Sequence, residues 1–139
     1  MDTKKKILIV DDDEDVIEQL SMVLGGAGYE VHPAGSQAEG EEVLLSMKPD
    51  MAIVDLMMEE MDSGFVLAHN IRRLYPEIPI VMLTAVTAAT GLSFTSTSAE
   101  ARTWAQVDEI MDKPVRPEQV LSLVGRLLGE RSARPGGAH

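Results

Sequence analysis

The feature that most constrains this chain is a set of short aliphatic runs, each of which stops at a polar residue. Three of them end at an acid or a hydroxyl: residues 7–10 are followed by Asp11 and Asp12, residues 51–54 by Asp55, and residues 80–83 by Thr84. Continuous aliphatic runs of this length are typical of strands buried on both faces of a parallel sheet. The sequence therefore predicts a parallel sheet with polar residues gathered where its strands end.

Segments with helical periodicity separate the aliphatic runs. Apolar residues recur at spacings of three and four between Val16 and Leu24, and again between Phe65 and Leu74. Two more helices are predicted over residues 37–47 and 117–128, and two more strands over residues 29–32 and 109–112. Because strands and helices alternate, with connections long enough for right-handed crossovers, we expect a doubly wound α/β fold. It would have a five-stranded parallel sheet with helices on both faces.

Length and composition limit the classes of protein to which the chain can belong. Its 139 residues are expected to form one domain, residues 1–130, followed by a flexible tail at residues 131–139. A net charge of −11 argues against direct contact with a nucleic-acid backbone. The lack of cysteine excludes disulfides and thiolate metal sites. No apolar run is long enough to span a bilayer, so we expect no membrane partner and a cytoplasmic location.

Polar residues from four strands are predicted to converge at the carboxyl edge of the sheet: Asp11, Asp12, Asp55, Thr84 and Lys113. Doubly wound sheets bind their ligands at this edge. Three carboxylates placed together repel one another unless a cation neutralises them, and Mg²⁺ prefers oxygen ligands shared with a phosphate. An aspartate in such a site can accept a phosphoryl group, with Lys113 as a second cation and Thr84 as a hydrogen-bond donor. The residues therefore indicate Mg²⁺-dependent phosphoryl chemistry.

The same residues lie in four motifs, at residues 7–12, 54–58, 83–85 and 113–114. In chain order they read Ile-Leu-Ile-Val-Asp-Asp, Val-Asp-Leu-Met-Met, Leu-Thr-Ala and Lys-Pro. With these motifs, residues 6–128 resemble a bacterial two-component response-regulator receiver domain of the stand-alone, CheY-like type. The resemblance implies the flavodoxin-like strand order 2-1-3-4-5. It also implies that Asp55 is the phosphoacceptor.

The resemblance assigns further roles to single residues. The implied Mg²⁺ ligands are Asp12, Asp55, the backbone carbonyl of Met57 and, through water, Asp11. Thr84 would be the hydroxyl that responds to phosphorylation, and Lys113 would contact the phosphoryl group. No other cofactor is implied, and the domain is regulatory rather than an enzyme acting on a metabolite.

Three features depart from the family pattern. Glu59 and Ser63 stand where the family usually has Pro and Gly, so the loop at residues 59–64 is altered and more acidic. The segment at residues 86–108 is longer than expected and rich in Ser and Thr. Ile110 replaces the aromatic residue that usually works with the switch hydroxyl. These differences concern loops and switching, whereas every residue of the acceptor site is present.

Three functions are compatible with these residues to different degrees. The leading hypothesis is a switch that takes a phosphoryl group from a histidine kinase or phosphotransfer protein and signals through an unidentified downstream protein. The alternative is a receiver-like module that binds its partners without phosphorylation. A Mg²⁺-dependent phosphatase with an aspartyl-phosphate intermediate is disfavoured, because such enzymes have a second Asp where this chain has Met57.

Overall fold

The computed structural model describes residues 4–55, 63–84, 107–113 and 115–136. Its five strands are β1 (Lys6–Val10), β2 (Glu30–Ala34), β3 (Met51–Asp55), β4 (Ile80–Thr84) and β5 (Glu109–Asp112). Its helices are α1 (Glu14–Gly26), α2 (Gln37–Ser46), α3 (Ser63–Leu74) and α4 (Pro117–Gly136). All strand pairs are parallel, and the sheet order is β2-β1-β3-β4-β5. The predicted fold class and strand order are confirmed.

The boundaries of several elements, among them β2, α1 and α4, differ from the sequence-based prediction. β2 continues through Pro33 to Ala34. A proline is acceptable in this strand because β2 lies at the edge of the sheet, where a residue can lack its N–H without breaking a hydrogen bond to a neighbouring strand. α1 begins at Glu14, since Asp13 caps its first turn. α4 continues past the predicted end at Leu128, through most of the segment predicted to be a flexible tail. The mobility of residues 131–139 stays a prediction.

Two apolar layers cover the two faces of the sheet. Alternate residues of β1 point to opposite faces, so Leu8 and Val10 pack with α2 and α3 while Ile7 and Ile9 pack with α1 and α4. All four of these side chains are fully buried. Burial on both sides explains why the central strands are continuous aliphatic runs rather than alternating ones. The carboxyl edge of the sheet is left for polar residues.

The register of the strands brings their carboxyl ends level with one another. Val10 pairs with Val54, so Asp11 and Asp55 each follow a matched position. Asp55 pairs with Leu83, and Thr84 pairs with Asp112, the residue before Lys113. Among the helices of the described ranges, none is both long and apolar enough to cross a membrane.

Candidate functional site

Asp11 is the most deeply placed acid at the carboxyl edge of the sheet. Asp11 is fully buried, and its backbone N–H donates a hydrogen bond to the carbonyl of Ala34 at 3.1 Å. Its side chain is held at both oxygens, because Oδ1 accepts from the backbone N–H of Asp13 at 2.9 Å and Oδ2 lies 3.0 Å from Lys113 Nζ. A buried carboxylate is tolerated here because it is paired with a cation and hydrogen-bonded.

Lys113 bridges two carboxylates with a single ammonium group. Its Nζ lies 3.0 Å from Asp11 Oδ2 and 3.3 Å from Asp55 Oδ1. Burial lowers the pKa of Lys113, but the hydrogen bonds and negative charges of Asp11 and Asp55 outweigh that effect, so its pKa is raised above the ordinary value. The lysine therefore stays charged and holds the phosphoacceptor candidate and the buried acid together.

Burial and the neighbouring carboxylates together outweigh the effect of Lys113 on the pKa of Asp55. Asp55 is only 5% exposed, and burial together with the negative charge of Asp11 raises the pKa of Asp55 from 3.8 to about 6. Lys113 opposes this rise, while Asp12 adds to it. Carboxyl groups with a pKa perturbed in this way are concentrated at functional sites.

The third acid completes a cluster suited to a hard cation. Asp12 is exposed, and one carboxylate oxygen each from Asp11, Asp12 and Asp55 lies within 4.8 Å of the others. Oxygen donors and excess negative charge are the properties that Mg²⁺ requires of a protein site. The donor set therefore fits Mg²⁺, with Asp12 open to solvent at the entrance. Met57, whose carbonyl was predicted to join the site, lies outside the described residues.

Thr84 supplies a buried hydroxyl at the end of β4. The residue is 5% exposed, and its Oγ1 has no hydrogen-bond partner among the described residues. Its backbone carbonyl accepts a hydrogen bond from the N–H of Lys113 at 2.8 Å, which fixes the two residues to each other. Because an unpaired buried hydroxyl costs stability, this side chain is a candidate to hydrogen-bond a ligand at the edge of the sheet.

The other acids of residues 11–15 have a structural role at the start of α1. The side chain of Asp13 accepts from the backbone N–H of Asp15 at 3.0 Å and caps α1, while Glu14 and Asp15 lie in its first turn. Acids are favoured at a helix N-terminus because they satisfy free N–H groups and oppose the helix dipole. This cap was not predicted from the sequence, although an Asp directly before a helical pattern is its ordinary signal.

One further contact near the site was not predicted. The Gln19 side chain donates from Nε2 to the carbonyl of Val115 at 3.4 Å and so ties α1 to the segment after Lys113. Ile110, which stands where an aromatic residue was expected from the sequence, is half-buried and packs against the core cluster on the sheet face that α2 and α3 cover. The altered loop before Ser63 and the long segment up to residue 106 lie outside the described residues.

Comparison with known proteins gives a consistent assignment. The sequence model of the response regulator receiver domain family matches residues 7–125 of this chain. The transcriptional regulatory protein GlrR of Escherichia coli (strain K12) is 43% identical over 79 residues, which cover 57% of this chain and 18% of GlrR. The DNA-binding response regulator MtrA of Mycobacterium tuberculosis (strain ATCC 25618 / H37Rv) is 29% identical over 136 residues, which cover 97% of this chain and 56% of MtrA. The chain thus spans about a fifth of the first relative and about half of the second.

Solved structures show the same architecture. The CheY-like response regulator receiver domain protein from Methanospirillum hungatei JF-1 superposes with a TM-score of 0.82 at 28% identity, covering 94% of this chain and 98% of that one. The sheet order, the cluster of acids and the family match agree with one another. The chain belongs to the response regulator receiver domain family, the signalling domains of two-component systems.

Proposed function

We propose that this domain is a phosphorylation-dependent switch that accepts a phosphoryl group on Asp55. The single observation that carries the proposal is the placement of Lys113 Nζ between Asp11 Oδ2 and Asp55 Oδ1 at the end of the sheet, beside a third acid. A cation at this position neutralises an acceptor carboxylate and also the charge of an incoming phosphoryl group.

Each residue of the site has a defined task in this reaction. An oxygen of the Asp55 carboxylate attacks the phosphorus of a phosphodonor, a P–O bond forms, and the bond from phosphorus to the donor breaks. Lys113 stabilises negative charge on the transferred group, since a charged donor gives the stronger hydrogen bonds. Asp11, Asp12 and the carbonyl of Met57 would hold Mg²⁺ together with Asp55. When bound, the ion would neutralise charge on the phosphoryl group and orient its oxygens.

Thr84 connects the phosphoryl group to the rest of the domain. Its hydroxyl has no partner among the described residues and is available to donate to a phosphoryl oxygen on Asp55. Moving this side chain toward the new charge changes the end of β4, where the chain leaves the sheet. A local charge that biases an adjacent segment is a common switching mechanism.

The partners follow from the chemistry of the donor and of the surface. A phosphohistidine, on a histidine kinase or a phosphotransfer protein, is the expected donor because its P–N bond breaks readily in favour of a carboxylate acceptor. The output is expected to pass to another protein rather than to nucleic acid, since the net charge is −11. The intact acceptor site favours this function over binding that is independent of phosphorylation.

Intact-protein mass measurement after incubation with acetyl phosphate tests the proposal. Wild type should gain one phosphoryl group in Mg²⁺ and none in a chelator, and Asp55→Asn should gain none. Asp15→Asn is the matched control, because Asp15 is an exposed acid outside the cluster. It should label like wild type. Labelling of Asp55→Asn at the wild-type level, or labelling that does not require Mg²⁺, would overturn the proposal.

A further inference from the structure

A groove lies between α2 and α3, on the sheet face opposite to α1 and α4. It has a volume of about 460 Å³ and is lined by Glu41, Leu44, Leu45, Asn70, Arg73 and Leu74. None of these residues belongs to the phosphoacceptor site at the end of the sheet. Phosphorylation of Asp55 therefore does not account for the presence of this groove.

Two large apolar side chains project at this groove. Leu45 is 84% exposed and Leu74 is 54% exposed, while Met22 on α1 is the other large exposed apolar residue noted in the described part of the chain. A single exposed apolar side chain is ordinary, but a groove with two of them beside it is typical of an interaction surface. Leu45 is a projecting side chain and the groove beside it is a recess, so one surface carries both halves of a contact.

The charges at the groove are balanced and separated between its two helices. Glu41 on α2 is fixed there, because its Oε2 accepts from Asn70 Nδ2 at 3.0 Å and from Gln37 Nε2 at 3.1 Å. Arg73 on α3 is exposed. The lining thus contains one acid and one base, so the charges of the lining itself are balanced although the chain carries a net charge of −11.

We propose that the α2–α3 groove binds the same groove of a second copy of this chain. In a two-fold interface, residue i of one copy meets residue j of the other and the reverse, so Glu41 of each copy would face Arg73 of the other. The projecting Leu45 of each copy would enter the recess of its partner. An acid on one helix and a base on the other make the lining complementary to itself, so opposite charges rather than like charges would meet at the two ends of the contact.

Self-association through the α2–α3 groove does not depend on phosphorylation. Neither the groove nor its charges include a residue of the acceptor site, so self-association is expected with or without acetyl phosphate. A contact of this limited extent is weak, with a dissociation constant on the order of 10 to 500 µM.

Sedimentation equilibrium of the whole chain over a range of protein concentrations measures this association. Wild type should shift from monomer to dimer as concentration rises through the dissociation constant. Leu45→Glu should weaken dimerisation by at least about tenfold. Met22→Glu is the matched control, since it places the same charge on an exposed apolar position of α1, and it should dimerise like wild type.

Charge reversal tests the two-fold pairing itself. Glu41→Arg and Arg73→Glu should each weaken dimerisation, because each places like charges opposite one another at two points. A mixture of the two single variants, and the double variant alone, should recover wild-type affinity to within about threefold. Thermal melts of every variant at low protein concentration show that each is folded.

Each outcome of these experiments either supports or overturns the proposed interface. Recovery by charge reversal, together with loss in Leu45→Glu and no loss in Met22→Glu, establishes the interface. A wild-type chain that is monomeric up to about 1 mM overturns the proposal. So does a dimer that Leu45→Glu leaves intact, since that dimer must use another surface.

Discussion

The backbone N–H of Lys113 donates a hydrogen bond to the backbone carbonyl of Thr84 at 2.8 Å. The end of β5 and the end of β4 are therefore joined by the main chain, next to the ladder pair of Thr84 and Asp112. Since the bond does not involve either side chain, replacing one side chain should leave the other in place. Substitutions at this site can thus be interpreted as changes of charge or hydrogen bonding.

The first prediction concerns the double ion pair of Lys113. Lys113→Met keeps most of the side-chain length but leaves two buried carboxylates without their cation. The metal-free protein should lose about 1 to 3 kcal/mol of unfolding free energy, measured by urea titration at pH 7.5 in chelator. Lys48→Met is the control, because Lys48 pairs with Glu77 at an exposed position, where an ion pair contributes little to stability. Equal losses in the two variants would show that burial of the Lys113 pair has no energetic consequence.

The second prediction is a pH dependence caused by Asp55. Its pKa in the folded protein is about 6, above the ordinary value of 3.8, so between these values the folded state binds a proton that the unfolded state has released. The stabilising contribution of the protonated group is complete below about pH 4 and is lost as the pH rises through 6. Removal of the ionisable group should therefore help the metal-free protein only at higher pH.

The measurement is urea unfolding of wild type and Asp55→Asn in chelator from pH 4 to pH 8. The variant should be more stable than wild type above pH 6 by about 1 to 2 kcal/mol, and the difference should shrink toward pH 4. The exposed acid Asp15 provides a control, since Asp15→Asn should not reproduce this profile. A difference that is constant with pH would contradict the assignment of the raised pKa to Asp55.

The parts of the fold that the sequence predicted are those with local signals. Continuous aliphatic runs and helical periodicity predicted the five strands and four helices of the described residues, and also the sheet class. They could do so because burial on one or two faces determines the order of apolar and polar side chains along the chain. The resemblance added the strand order. The convergence of the acid cluster with Thr84 and Lys113 could be predicted because each of these residues lies at the end of a strand or within two residues of it, and parallel strands end at one edge. The roles of the individual residues stay predictions.

Contacts between distant side chains had no comparable signal. Arg72 donates to the carbonyls of Pro76 and Ile78 and to Asp108 Oδ2, and the same carboxylate oxygen accepts from the backbone N–H of Ile80. This network joins the end of α3 to the starts of β4 and β5. Nothing in the local sequence around either charge identifies the other, so only the folded structure reveals the pair. The sharing of one ammonium group by Asp11 and Asp55 was unpredicted for the same reason.

The third prediction compares two helical glycines with different surroundings. A Cβ at Gly40 would lie 3.1 Å from Leu67 Cδ2 and 3.1 Å from Val10 Cγ2, whereas a Cβ at Gly25 would meet nothing within 4 Å. Gly25→Ala should stabilise the domain by about 0.5 to 1 kcal/mol through helix propensity. Gly40→Ala should destabilise it by about 1 to 2 kcal/mol, since the crowding of α2 against β1 and α3 exceeds the same gain. Urea titration of both variants checks this, and a stabilised Gly40→Ala would show that α2 can move outward freely.

The last prediction separates metal binding from helix capping at two adjacent aspartates. Asp12 is an exposed member of the acid cluster, whereas the side chain of Asp13 caps α1 through the N–H of Asp15. Asp12→Ala should leave the metal-free protein as stable as wild type or slightly more stable, because it removes one of three crowded negative charges. Asp13→Ala should cost about 1 kcal/mol in the same buffer, because it removes a cap.

The response to Mg²⁺ should follow the opposite pattern in these two variants. At a Mg²⁺ concentration ten times the dissociation constant, a protein with one site gains about 1.4 kcal/mol of stability. Wild type and Asp13→Ala should show this gain in thermal melts as the ion is added, and Asp12→Ala should lose most of it. Because each variant is compared with itself in chelator, a general loss of stability cannot imitate a loss of binding. If Asp12→Ala responds to Mg²⁺ as strongly as Asp13→Ala does, the ion binds elsewhere and the acid cluster is not its site.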